Sequence, residues 1–145
     1  MKSFKFEEEN LPTLKSNFLT IKRLEHPNII KYEGFYIDMR KRAGWLVMEL
    51  IESPSLEKVR LTREEDIRRA MHEILDTLSY LHQQEIVHRD IKPDNILYDP
   101  DTHKIKLVDF GISKRFVRRG SFIDMWTITG TLYYRAPEMF SGGYR

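Results

Sequence analysis

His88-Arg89-Asp90-Ile91-Lys92-Pro93-Asp94-Asn95, or HRDIKPDN, is the stretch on which the reading of this 145-residue chain turns. It places a carboxylate able to orient or deprotonate a hydroxyl (Asp90), a cation (Lys92) and an amide able to ligate a hard metal (Asn95) within a few residues. It follows an amphipathic segment and precedes a short apolar strand, so it reads as a loop held between two rigid elements. Asp109-Phe110-Gly111 and Ala136-Pro137-Glu138 come after it in that order.

Working outward, length and composition bound what the loop can belong to. A chain of 145 residues with 41% hydrophobic content buries one core and reads as one domain. The net charge is +2, with basic residues scattered among acidic ones, so no nucleic-acid partner is expected. Cysteine is absent, which excludes a disulfide framework and a thiolate metal site and fits an intracellular, cytoplasmic setting. The longest apolar run, around Trp45 to Ile51, is interrupted by Glu49 and too short to span a bilayer, so no membrane partner is expected.

Upstream of the loop, Leu11, Leu14, Phe18, Ile21 and Leu24 recur every three or four residues and predict a helix from about Pro12 to Leu24, ended by His26-Pro27-Asn28. Two strand-like runs, 29–37 and 44–51, flank the charged hairpin turn 38–42. Thr62-Arg63-Glu64-Glu65 reads as a capping box opening the longest helix, whose stripe Ile67, Ala70, Met71, Ile74, Leu75, Leu78 and Leu81 makes it a core element. His72 and His82 beside that stripe read as packing or surface residues. Residues 55–62 are expected to form a trimmed helix.

HRD with a spaced Asn, then DFG, then APE, is the motif set of protein kinases. On these residues the chain resembles a eukaryotic protein kinase of the serine/threonine type, similar to the calcium/calmodulin-dependent or related groups, and Lys92 carries the serine/threonine assignment. The resemblance implies an α+β fold, a partial kinase domain running from the first small-lobe helix to APE. Residues 1–51 would be the small-lobe helix and strands up to the hinge, and 52–145 the large-lobe helix, catalytic loop and activation segment. The implied activity is ATP-dependent phosphoryl transfer to a protein hydroxyl, with ATP and Mg2+ as cofactors and a protein as substrate. Such transfer asks for positioning and charge neutralisation more than covalent chemistry.

Carried over residue by residue, Asp90 orients or deprotonates the substrate hydroxyl, Lys92 contacts the moving phosphoryl group, and Asn95 and Asp109 bind Mg2+. Met48 gates the rear of the adenine pocket, Glu49 and Ile51 offer a backbone carbonyl and amide, Leu97 is the floor and Val108 the back wall. Phe110 stacks between His88 and the first helix, with Ile21 and Tyr32 completing the column. Thr131 hydrogen-bonds Asp90 and Lys92 and helps set the preferred hydroxyl. Thr127 is the candidate phosphosite, with Arg89 and Lys114 as its cationic partners. Tyr133, Tyr134 and Arg135 shape a peptide groove, where Arg135 departs from the apolar residue expected.

Other departures bear on activity. The polar stretch 1–10 suggests neither a glycine-rich loop nor a Val-Ala-Ile-Lys-type strand, so the phosphate-pairing lysine is expected to be missing. Its glutamate partner is replaced by Asn17, counting back from His26. The helix that braces the loop from below is also expected to be missing. The alternative reading is therefore a truncated or degenerate kinase serving as a non-catalytic binding or dimerising module. Self-association or domain swapping would cover the apolar surface left open.

Overall fold

The computed structural model describes residues 1–111 and 130–137, together with the backbone pairing of 114–115, 118–119 and 122–123. The first part of the chain holds strand β1 (Lys2–Lys5), helix α1 (Leu11–Lys22), and strands β2 (Tyr32–Asp38) and β3 (Ala43–Met48). β3 is central in an antiparallel sheet of order β1-β3-β2. The sequence reading of the polar stretch 1–10 did not include the strand β1. Phe4 and Phe6 alternate with Ser3 and Lys5, the period of a half-buried strand, although the charged residues around them hide it. Phe4 lies so close over Gly44 that a Cβ there would sit 2.3 Å from its ring.

Helix α1 opens with Pro12 in its first turn, where the missing N–H costs nothing. It packs on the sheet through Phe18, whose ring stacks on Phe35 at 5.2 Å and meets Tyr32 edge-on at 6.5 Å. The β2–β3 hairpin turns where Asp38 Oδ1 accepts the Lys41 N–H. The expected strand 29–37 splits in two. Residues 28–30 pair in parallel with the strand at 107, through Ile30 N to Leu107 O at 3.0 Å and Leu107 N to Asn28 O at 2.7 Å, before the chain crosses into β2.

Helix α2 spans Glu64–Gln83. Its first residue follows Arg63, so Thr62 lies one position too early to cap it, and no side chain caps the helix. The capping box is not formed. Glu64, Glu65 and Asp66 instead favour the positive end of the helix dipole, and Glu64 and Glu65 pair with Arg68 and Arg69 one turn on. The broad apolar stripe divides. Ala70, Ile74, Thr77 and Leu81 are buried, whereas Ile67, Met71 and Leu75 are 44%, 49% and 61% exposed. The first set, joined by the half-buried Leu78, faces the packed elements β4 (Ile86–Val87), β5 (Ile96–Tyr98) and β6 (Ile105–Leu107).

β5 and β6 form a hairpin whose turn is held by the Asp99 carboxylate, which accepts from Thr102 Oγ1 and from the N–H groups of Asp101 and Thr102. β4 pairs with β7 (Lys114–Arg115), and β8 (Arg118–Arg119) with β9 (Phe122–Ile123). Residues 55–62 contain no helix. There the chain runs beside β5, with Tyr98 N bonded to Pro54 O and Leu56 N to Ile96 O, both at 2.8 Å.

The first part of the chain docks on α2 through polar groups. His26 Nε2 lies 3.2 Å from Asp76 Oδ2, Glu25 N donates to Tyr80 Oη at 2.9 Å, and the His26 ring packs on Tyr80. Among the described residues no helix is long and apolar enough to cross a membrane. Phe18→Ala should lower stability by about 3–5 kcal/mol, and the 45%-exposed Leu19→Ala by no more than about 0.5 kcal/mol. Urea unfolding of the two variants checks this contrast.

Candidate functional site

The loop HRDIKPDN leaves β4 and enters β5 through a 3-10 turn, Pro93–Asn95, and its geometry is set by His88. His88 is 1% exposed. Its Nδ1 accepts the Asp90 N–H at 3.3 Å, which puts the proton on Nε2, and Nε2 donates to Val108 O at 3.0 Å. The ring also meets Phe110 edge-on at 4.7 Å. Burial holds the imidazole below its ordinary pKa, against the opposing pull of the Val108 carbonyl and the charges of Asp90 and Asp109.

Two residues around this hub are left-handed without being glycine. Arg89 has φ 69° and Asp109 φ 60°, a conformation that costs about 1–2 kcal/mol at such residues. These conformations turn the chain sharply just after His88 and again at Asp109, and Asp90 and Asp109 both line one cavity of about 390 Å3.

Asp90 sits in a nearly complete polar shell. Its Oδ1 accepts from Thr131 N at 2.9 Å and Thr131 Oγ1 at 2.8 Å, its Oδ2 accepts from Asn95 Nδ2 at 2.9 Å, and Lys92 Nζ lies 3.5 Å away. Burial pushes this carboxyl upward. The hydrogen bonds from Thr131 and Asn95 and the Lys92 charge outweigh it and hold the pKa below the usual aspartate range. Lys92 also donates to Thr131 Oγ1 at 2.8 Å. Gly130 makes this approach possible: it has φ 85°, and a Cβ would lie 2.4 Å from Arg89 O. Arg135, where the sequence suggested an apolar residue, clamps the Gly130 carbonyl through Nε and Nη2 at 3.1 and 2.8 Å.

The structure thus brings Asp90, Lys92, Asn95 and Thr131 into one hydrogen-bonded group, with Asp109 on the same cavity wall as Asp90. Asn95 spends its Nδ2 on Asp90 O and Oδ2, which leaves its amide oxygen for a cation. That oxygen and the Asp109 carboxylate are both hard oxygen donors, of the kind that suits Mg2+. Among the described residues there is no cluster of three or more His, Cys, Asp or Glu able to hold a metal. A cation here would complete its shell from phosphate oxygens and water.

The residues expected around adenine are less concentrated. Met48 ends β3, and Glu49 follows with its N–H bonded to Lys31 O. The Glu49 carboxylate accepts from Lys31 N at 2.8 Å and Lys106 Nζ at 2.7 Å. Burial pushes that carboxyl up and these two partners pull it lower than usual. Ile51 and Leu97 line a separate cavity of about 780 Å3. Val108 bonds through its backbone to Asn95 and His88, so it positions the loop as well as packing beside it. Arg89 lies over a third cavity, of about 210 Å3, with Tyr134 and Arg135. Thr127 and the Lys114 side chain lie outside the described residues.

Lys2 is the residue that the sequence reading missed. Its Nζ lies 2.6 Å from Asp109 Oδ1, which places a cation beside the DFG carboxylate. The signal available was the Lys-Ser-Phe-Lys-Phe alternation of β1. Asn17 lines the same cavity.

The protein kinase domain family matches residues 1–144, β1 included. The chain is 35% identical over 141 residues to calcium-dependent protein kinase 5 of Plasmodium berghei (strain Anka) and to calcium-dependent protein kinase 5 of Plasmodium falciparum (isolate 3D7), covering 93% of this chain and 24% of each relative. It is 36% identical over 122 residues to calcium-dependent protein kinase 6 of Plasmodium berghei, covering 81% of this chain and 8% of that protein. The chain belongs to the protein kinase family, and its α+β architecture is a partial form of that fold. It spans 24% of the length of the first two relatives.

The His88 hub makes a pH prediction. Because its folded pKa is lowered, its contribution to stability is fully present above the ordinary value of 6.5 and is lost as pH falls below that toward the folded value. The urea midpoint should drop between pH 7.5 and 5.5 with a component that His88→Phe removes. That variant should also cost about 1–3 kcal/mol at pH 7.5, since Asp90 N and Val108 O lose their partner.

Proposed function

We propose that this chain is the central portion of an ATP-dependent protein serine/threonine kinase, divided into a small-lobe part, 1–51, and a large-lobe part, 52–145. The observation that carries the reading is the carboxylate Asp90, gripped by Thr131, Asn95 and Lys92 beside Asp109, with room left at Oδ2 for a further donor. A carboxylate held ionised in this way accepts a hydrogen bond from an incoming hydroxyl and fixes its direction. Lys92 stands 3.5 Å from it, where its positive charge offsets negative charge on a transferring group. Asn95 and Asp109 would hold magnesium, which together with ATP supplies the transferable phosphoryl group and the neutralising charge. Lys2, on the strand beside β3, would contact the phosphates. Met48, Glu49, Ile51, Leu97 and Val108 would form the adenine site.

Serine/threonine choice is assigned to Lys92 and Thr131, whose side chains are bonded at 2.8 Å. Regulation is assigned to Thr127, with Arg89 and Lys114 as partners for its phosphate. The working compartment is the cell interior, and the substrates are proteins. The relatives are by their names calcium-dependent protein kinases, which supports the protein kinase assignment.

A second reading, a non-catalytic binding or dimerising module, is favoured by one observation: the position for the lysine's glutamate partner holds Asn17. The exposed row Ile67, Met71 and Leu75 gives that reading a surface through which copies could associate.

Two measurements separate the readings. Transfer of labelled phosphate from Mg-ATP to a mixture of serine and threonine peptides should be detectable and should fall about 10²–10⁴-fold in Asp90→Asn, with nucleotide affinity nearly unchanged. Gly130→Ala should also lower it by displacing Thr131. Equal signal in wild type and Asp90→Asn would refute the kinase reading. Sedimentation should show concentration-dependent association that Leu75→Glu reduces, and a monomer at all concentrations would remove the associating surface from the argument.

A further inference from the structure

The cavity between α1 and the sheet has three polar groups whose chemistry does not balance. Lys2 and Asp109 are bonded at 2.6 Å, and Asn17 lines the same wall from the middle of α1. Among the described residues Asp109 is the only carboxylate paired with Lys2. The other charged groups lining the cavity are already engaged. Lys5 donates to Lys41 O at 3.3 Å, and Asp90 is held by Thr131, Asn95 and Lys92. Asn17 is neutral and half-buried, so it offers Lys2 no charge to move toward.

We propose that Asn17 sets the divalent-cation affinity of this site: being neutral, it leaves Lys2 on Asp109, so that a cation reaches that carboxylate only against the lysine. The inference rests on the reading of Asp109 as a metal ligand. Lys2 occupies one oxygen, Oδ1, which the Gly111 N–H also approaches at 3.3 Å. A dication on the same carboxylate would meet the repulsion of the ammonium group or have to displace it. The side chains of the pair are 49% and 38% exposed, so solvent screens the interaction and its effect on cation affinity is about five- to tenfold. Asn17 is thus a positioning residue: it acts on the cation through Lys2.

The test measures Mn2+ binding to the ATP-free protein from the electron paramagnetic resonance signal of free Mn2+, in wild type, Lys2→Met, Asn17→Glu, Asn17→Gln and the double variant Lys2→Met/Asn17→Glu. Lys2→Met and Asn17→Glu should each tighten Mn2+ about five- to tenfold, and Asn17→Gln should leave it unchanged. A carboxylate introduced at position 17 could also tighten Mn2+ by ligating it, and the double variant separates the two causes. Working through Lys2, Asn17→Glu adds nothing once Lys2 is gone, whereas direct ligation tightens binding equally in both backgrounds and overturns the inference. Unchanged affinity in Lys2→Met, including no binding in either form, also overturns it, and that arm stands even where Asn17→Glu does not fold. Neither ATP nor a peptide enters the measurement, so absence of phosphoryl transfer would count against the proposed function and leave this inference to be judged on Mn2+ alone.

Discussion

A single neutral imidazole joins the catalytic-loop carboxylate to the segment that carries Asp109. His88 can accept from Asp90 N and donate to Val108 O at once only in one tautomer, and its depressed basicity keeps it there at neutral pH. Through these two bonds it fixes where the loop begins and where the chain stands just before Asp109. Its ring then touches Phe110, Phe110 meets Tyr32, and Tyr32 meets Phe18 of α1. Helix α1 is therefore linked to the Asp109 segment through packed rings, and a shift of α1 has to be absorbed by that column because interiors are close-packed.

Around the hub the chain is strained where the chemistry is expected. Arg89 and Asp109 take the left-handed conformation without being glycine, and Gly130 takes it where a side chain would collide with Arg89 O. Conformations of this cost persist only where surrounding bonds over-determine them. Here those bonds are the Asp90 shell and the Val108 backbone pairing with Asn95 and His88. Of these, the Asp90 shell also keeps Asp90 ionised, so there the geometry and the electrostatics have a common origin.

The two faces of α2 show how far packing decides what a sequence pattern means. Ala70, Ile74 and Leu81 are buried because β4, β6 and the crossover 28–30 lie against them. Ile67, Met71 and Leu75 are equally apolar and lie in the same periodic stripe, yet they face solvent. Apolar spacing reports that a face can be buried, and a neighbouring element is needed to bury it.

The local elements were legible from the chain alone. Residues 12–24 and the stripe from Ile67 to Leu81 announced helices by their period, 38–42 announced a turn, and HRDIKPDN with DFG announced the family, because these signals lie within a few residues of one another. Even there the capping position slipped by one residue, and 29–37 read as one strand, since alternation cannot say which neighbour each residue pairs with. The meeting of Thr131 with Asp90 and Lys92 was implied by the family motifs, whereas only the tertiary structure decided the other long-range meetings: Lys2 with Asp109, Arg135 with the Gly130 carbonyl, and residues 28–30 with β6. Lys2 and Asp109 stand 107 positions apart. No periodicity reaches across that distance, so their pairing follows from a strand order and a loop conformation that packing alone selects.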